Sequence, residues 1–134
     1  MSSPHHLDEP GAPLLFTSGA PGLVVTDVDS TLITQEVIEE LAEVAGTRER
    51  VAEITSRAMN GELDFAESLR ERVATLRGVP DSVFGDVLAS ITPTEGAREL
   101  IDAVHAAGGH FGVVSGGFEE VVAPLAASLG IDFY

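Results

Sequence analysis

The segment Leu23-Val24-Val25-Thr26-Asp27-Val28-Asp29-Ser30-Thr31-Leu32 constrains the chain more than any other. It opens as a short apolar, β-branched run, the pattern of a buried strand. It ends in two carboxylates, Asp27 and Asp29, which strand alternation sends to one side. In an open α/β sheet, ligands bind at the carboxyl ends of the strands. Two like charges held there are costly unless a cation or a proton lies between them. The segment therefore asks for a metal, an acid/base role, or both. The plainer reading is a turn in which Asp29, Ser30 and Thr31 cap the next helix. A calcium loop of the EF-hand kind fits badly, because Thr31 and Leu32 stand where that loop needs Asp or Asn and then Gly.

Charge narrows the partners. All 7 basic residues are Arg, Lys is absent, and 22 acidic residues bring the net charge to −15. That argues against nucleic acid and against anionic membrane surfaces. An anionic substrate must then be held locally, by a few Arg, by backbone N–H groups or by a metal, because the overall field repels it. With no Cys there is no disulfide framework, thiol nucleophile or thiolate metal site. No apolar run is long enough to span a bilayer. No basic stretch leads into an apolar one as in a secretory signal, so the expected location is the cytoplasm.

Residues 1–22, with Pro4, Pro10, Pro13 and Pro21, show no period and read as a flexible leader. His5 and His6 lie in it, an ordinary role being favoured over a metal one. Helices are expected from about Thr34 to Ala45, from Thr47 to Met59, from Asp64 to Arg77 and over 80–89. Asp64 and Glu67 form a capping-box pattern. The third helix carries a stripe of Phe65, Leu69, Val73 and Leu76. Arg72 projects within about 20° of Phe65. It has two readings: a stem snorkelling over the core, or a receptor for a carboxylate or phosphate.

Thr94 is the expected cap of a helix over 95–107 that buries Leu100, Ile101 and Val104. His110–Val114 reads as a second buried strand running into Ser115-Gly116-Gly117 and then a helix from about Phe118, with Pro124 inside it. A hydroxyl and small residues before a helix N-terminus suit an anion, although such turns are often Gly-rich for steric reasons alone. Residues 131–134 start a third strand. This alternation predicts an α/β fold with a Rossmann-like parallel sheet, incomplete at its third strand, and an inserted α-helical cap. The expected divisions are a partial core at 23–46 and 91–134 and a cap at 47–90.

These residues resemble a known family. Asp27-Val28-Asp29-Ser30-Thr31-Leu32 is similar to the first motif of the haloacid-dehalogenase superfamily of phosphotransferases, and Ser115-Gly116-Gly117 to its second. Ala58–Phe65, Ser68–Val73 and Ile91–Ala97 resemble the phosphoserine phosphatases within it. The resemblance covers about residues 23–134.

It implies that Asp27 is the nucleophile that takes the phosphoryl group and a ligand of Mg²⁺. It implies that Asp29 is the general acid/base, its backbone carbonyl a second metal ligand. Glu36 and Arg72 match residues holding the amino and carboxylate ends of O-phosphoserine. Met59 and Phe65 match the apolar lining over the substrate, and Ser115 and Gly116 the phosphate cradle. The family pattern also has a Lys and a Gly-Asp-Gly-x-x-Asp loop, and neither is present. The chain is therefore expected to be the front part of such an enzyme, inactive or nearly so alone. A phosphatase or phosphotransferase acting on another small phosphorylated metabolite, or a non-catalytic fragment, remains open, as does the oligomeric state.

Overall fold

The apolar run Leu23–Thr26 forms a strand, β1, and His110–Val113 forms a second, β2. They pair in parallel, with Leu23 opposite His110 and Thr26 opposite Val113. The structure, a computed structural model, describes Phe16 and residues 19–134. The expectation of a flexible leader, with its His5 and His6, therefore falls on residues that lie largely outside the described ones.

The residues divide into two compact units, Gln35–Thr92 and the remainder, which holds both strands. In the strand-bearing unit, α5 (Ala97–Ala106) and α6 (Glu119–Leu129) accompany the sheet. Its core is Val28, Leu32, Ile33, Ile101, Val104, Phe111, Val113, Val121 and Leu125, all buried. α6 runs unbroken past Pro124. Where a third strand is expected to start, the described residues form a single bridge. Phe133 pairs in parallel with Gly112, and Val113 N–H donates to the Phe133 carbonyl at 2.9 Å. A Cβ at Gly112 would meet the Phe133 ring, so a larger residue there must displace it.

The other unit is all helical: α1 (Val37–Ala45), α2 (Arg48–Met59), α3 (Phe65–Ala74) and α4 (Val83–Ser90). Val37, Ile38, Leu41 and Ala42 of α1 are buried with Val51 and Ile54 of α2 and Val83 and Val87 of α4. Because its stripe packs on α2 and α4, α1 groups with the helices rather than with the strands. Asp64 and Glu67 make the full capping box at the start of α3, with Glu67 N–H donating to Asp64 Oδ1 at 2.8 Å.

The expected inward stripe of α3 packs only in part. Phe65 is 72% and Val73 39% exposed, Leu69 and Leu76 are half-buried, and Ser68 is the buried residue. An Arg57–Glu71 ion pair at 3.1 Å helps to hold α3 to α2. Among the described residues, no helix is long and apolar enough to cross a membrane.

Candidate active site

The site begins where the two strands end. Val114 N–H donates to the Thr26 carbonyl at 2.9 Å, which continues the β1–β2 ladder by one bond. The next residues along the two chains are Ser115 and Asp27. Parallel pairing thus brings the carboxylate turn and the Ser-Gly-Gly turn to the same end of the sheet.

β1 stops at Thr26. Val28–Leu32 then winds into one wide turn, closed by Ile33 N–H donating to the Val28 carbonyl at 3.1 Å. Strand alternation therefore does not extend to Asp29, and the relation of the two carboxylates is set by this turn. Val28 and Leu32 point into the core and anchor it. Asp27 and Asp29 both keep extended backbones, with φ/ψ of −83/177° and −63/129°. Asp27 is exposed and Asp29 half-buried. Ser30 sits at φ 56°, ψ 15° and is the one non-glycine residue at positive φ among those described. A left-handed L-residue costs about 1–2 kcal/mol, and such strain gathers at functional turns.

On the facing turn, Ser115 Oγ accepts the Gly117 N–H at 3.0 Å. A hydroxyl that accepts there keeps its own proton to give to an incoming oxygen. The turn leads into α6, whose cap residue Phe118 makes no side-chain capping bond. The first turn of α6 carries Glu119 and Glu120, and Tyr134 Oη donates to Glu119 Oε1 at 3.3 Å. Backbone N–H groups and a hydroxyl invite an anion here, while two carboxylates oppose one.

Four further expected site residues lie in the helical unit. Glu36 is the cap residue of α1 and is half-buried. Met59 ends α2 at 85% exposure, and Phe65 opens α3. Both are large apolar side chains left exposed within this unit. Arg72 is half-buried and donates through Nε to the Ser68 carbonyl at 3.4 Å. That contact fixes its stem.

The structure therefore brings Asp27, Asp29, Ser115 and Gly116 to one end of one unit. Glu36, Met59, Phe65 and Arg72 belong to the other. Among the described residues, no group of three or more His, Asp or Glu side chains is gathered as a metal cage.

Thr94 departs from expectation. The cap residue of α5 is Gly96, at φ 85°, and the Thr94 hydroxyl instead donates to the Thr31 carbonyl at 2.5 Å. No local sequence signal shows this bond, which spans more than sixty residues.

A model of the haloacid dehalogenase-like hydrolases matches residues 24–133. The chain is 56% identical over 116 residues to a phosphoserine phosphatase of Streptococcus thermophilus, covering 87% of this chain and 54% of that protein. A solved complex of substrate-bound phosphoserine phosphatase superposes with a TM-score of 0.76 at 40% identity, over 87% of this chain and 55% of that one. A phospho-aspartyl intermediate analogue of phosphoserine phosphatase does so with a TM-score of 0.76 at 42% identity, over 86% and 55%. The chain spans about half the length of these relatives. With the match running from the first strand through the carboxylate turn to Phe133, the chain belongs to the haloacid dehalogenase-like hydrolases.

Proposed function

We propose that the chain carries the nucleophile, anion cradle and substrate-selecting helices of a phosphoserine phosphatase. The observation that supports this most is the Val114–Thr26 bond, which sets Asp27 and Ser115 at neighbouring strand ends. The nature of the relatives favours phosphoserine over other esters.

On this reading an Asp27 carboxylate oxygen attacks phosphorus in line, and the bond from phosphorus to the serine oxygen breaks. Asp29 gives its proton to that oxygen as serine leaves. It then takes a proton from the water that hydrolyses the aspartyl-phosphate, and phosphate is released. The Ser115 hydroxyl and the Gly116 N–H donate to the phosphoryl oxygens as their charge spreads. Arg72 holds the substrate carboxylate and Glu36 its ammonium group. Met59 and Phe65 close apolar surface over the serine moiety and exclude water.

The hard oxygen donors of Asp27 and Asp29 fit Mg²⁺. The Asp27 carboxylate and the Asp29 backbone carbonyl would hold the ion. When bound, it offsets the charge of the phosphate dianion. The same reading assigns the activity to the last step of serine biosynthesis, in the cytoplasm.

Phosphate release tests the proposal. At about millimolar Mg²⁺, the 134-residue chain should hydrolyse phosphoserine slowly, since no Lys offsets charge in it. Fused to the C-terminal half of the Streptococcus relative, it should turn over phosphoserine well above phosphoglycolate. Preference for phosphoglycolate would move the assignment to another small metabolite. Activity unchanged by Asp27→Asn would reject it.

A further inference from the structure

We propose that Thr94 is a positioning residue for the Asp27–Asp29 turn, an assignment that rests on reading that turn as the phosphoryl-transfer site. Two bonds carry it. The Thr94 hydroxyl donates to the Thr31 carbonyl at 2.5 Å, and the Thr94 N–H donates to the Leu32 carbonyl at 2.9 Å. Two consecutive peptide planes, Thr31–Leu32 and Leu32–Ile33, are thereby pinned from one outside residue, beginning one residue after the left-handed Ser30. Ile33 and Pro93 pair in antiparallel fashion beside them.

Thr94 is itself anchored. Its carbonyl accepts the Ala97 N–H at 2.9 Å at the start of α5, and Ile101 and Val104 bury that helix. The turn is thus tied to a packed helix and not only to its own strand. A left-handed L-residue persists where its surroundings over-determine it, and the residue before Ser30 is Asp29. Removing the hydroxyl leaves charge and size nearly unchanged, so its effect should reach the site through the shape of the turn.

The bonding also explains why α5 takes Gly96 as its cap residue. Thr94 spends its hydroxyl on the turn, so the helix begins on a glycine at φ 85° with no side-chain cap.

The test compares Thr94→Val and Thr94→Ser in the 134-residue chain. Thr55→Val serves as the control, because it deletes a similar hydroxyl-to-carbonyl bond, of 2.9 Å to Val51 within α2. Positive φ at Ser30 gives a strong Overhauser contact between its own amide and α protons. That signal should be strong in the parent chain and in Thr94→Ser, and weak in Thr94→Val. Mg²⁺ affinity, followed by amide shifts at Val28–Thr31, should fall about 10-fold or more in Thr94→Val and recover in Thr94→Ser, the scale for groups that orient metal ligands. The melting temperature of Thr94→Val should fall no further than that of Thr55→Val.

A Ser30 signal that survives in Thr94→Val overturns the proposal. So does a Thr94→Ser chain that behaves like Thr94→Val, or a Thr94→Val chain that unfolds where Thr94→Ser folds. Asp27→Asn separates the underlying reading: if it leaves Mg²⁺ affinity unchanged, the turn is not the phosphoryl-transfer site, whatever Thr94 does to Ser30.

Discussion

Thr26 accepts the backbone N–H of Val114 at 2.9 Å, and each of these residues directly precedes a residue of the candidate site. Backbone pairing thus does the first part of the site's positioning, before any side chain takes part. A parallel pair places two carboxyl ends together, and the register here leaves Asp27 and Ser115 as the first residues past the ladder.

Asp27→Asn keeps the shape of that corner and removes the carboxylate proposed as its nucleophile. Phosphoserine hydrolysis by any active protein carrying this sequence should fall by several orders of magnitude, as when covalent nucleophiles are deleted. Melting temperature should barely move, because Asp27 is exposed. Near-normal turnover would show that another group attacks phosphorus.

Arg72→Ala separates the two roles open to that side chain. As a carboxylate receptor, Arg72 contributes roughly 1.5–3 kcal/mol through charged hydrogen bonds. Phosphoserine use should then drop about 10- to 100-fold, while a phosphate ester without a carboxylate is spared. Equal loss on both esters, together with a lower melting temperature, would identify Arg72 as a structural stem over Ser68.

Gly112→Ala should destabilise the strand-bearing unit. The added methyl meets the Phe133 ring, and overpacking of this kind costs about 1–3 kcal/mol. Amide exchange at Val113, whose N–H donates to the Phe133 carbonyl, should speed up more than exchange in the helical unit. Unchanged protection at Val113 would mean that the ring swings aside freely.

Asp132 gives the unit an acid-sensitive tie. Its carboxylate is held below the usual range, first by the Phe111 N–H at 2.7 Å and next by His105 Nε2 at 2.7 Å. A depressed carboxyl contributes stability above its unfolded value and loses it as pH falls through the lower folded one. The contribution is therefore complete above about pH 4 and fades below it. Asp132→Asn should lower the melting temperature near neutrality and shrink the further drop on acidification. Parallel acid limbs in the two proteins would contradict this.

The sequence was most legible where structure is local. Asp64 and Glu67 announce their capping box because both partners lie within one turn of α3. The apolar runs at β1 and β2 mark the strands by composition alone, although β1 is not buried as its run suggests, with Leu23 57% and Val25 47% exposed, and residues 131–134 supply a single bridge at Phe133. Legibility failed where partners are distant. α1 begins at Val37, a little after Thr34, and the Gln35 side chain just before it is engaged at a distance: its amide donates to the Ser90 carbonyl at 3.1 Å and accepts from the Thr92 N–H at 3.0 Å. The same kind of long-range bond draws Thr94 from its expected cap to Thr31. On α3, periodicity finds the apolar stripe correctly but cannot say whether a partner covers it. Phe65 and Val73 stay exposed while a small polar residue, Ser68, takes the buried position. The two carboxylates were found by residue type, but their mutual setting follows from a wide turn that strand alternation does not describe.

The antiparallel pairing of Ile33 with Pro93 has a consequence for the history of such a chain. The strand-bearing unit lets the chain out and takes it back at a single doorway. Everything from Gln35 to Thr92 leaves and re-enters that unit between two residues that are themselves paired. That segment can be lengthened, shortened or exchanged without moving either strand or re-threading the core. On the proposed function, the Asp27–Ser115 corner can therefore stay fixed while the helical segment is rewritten.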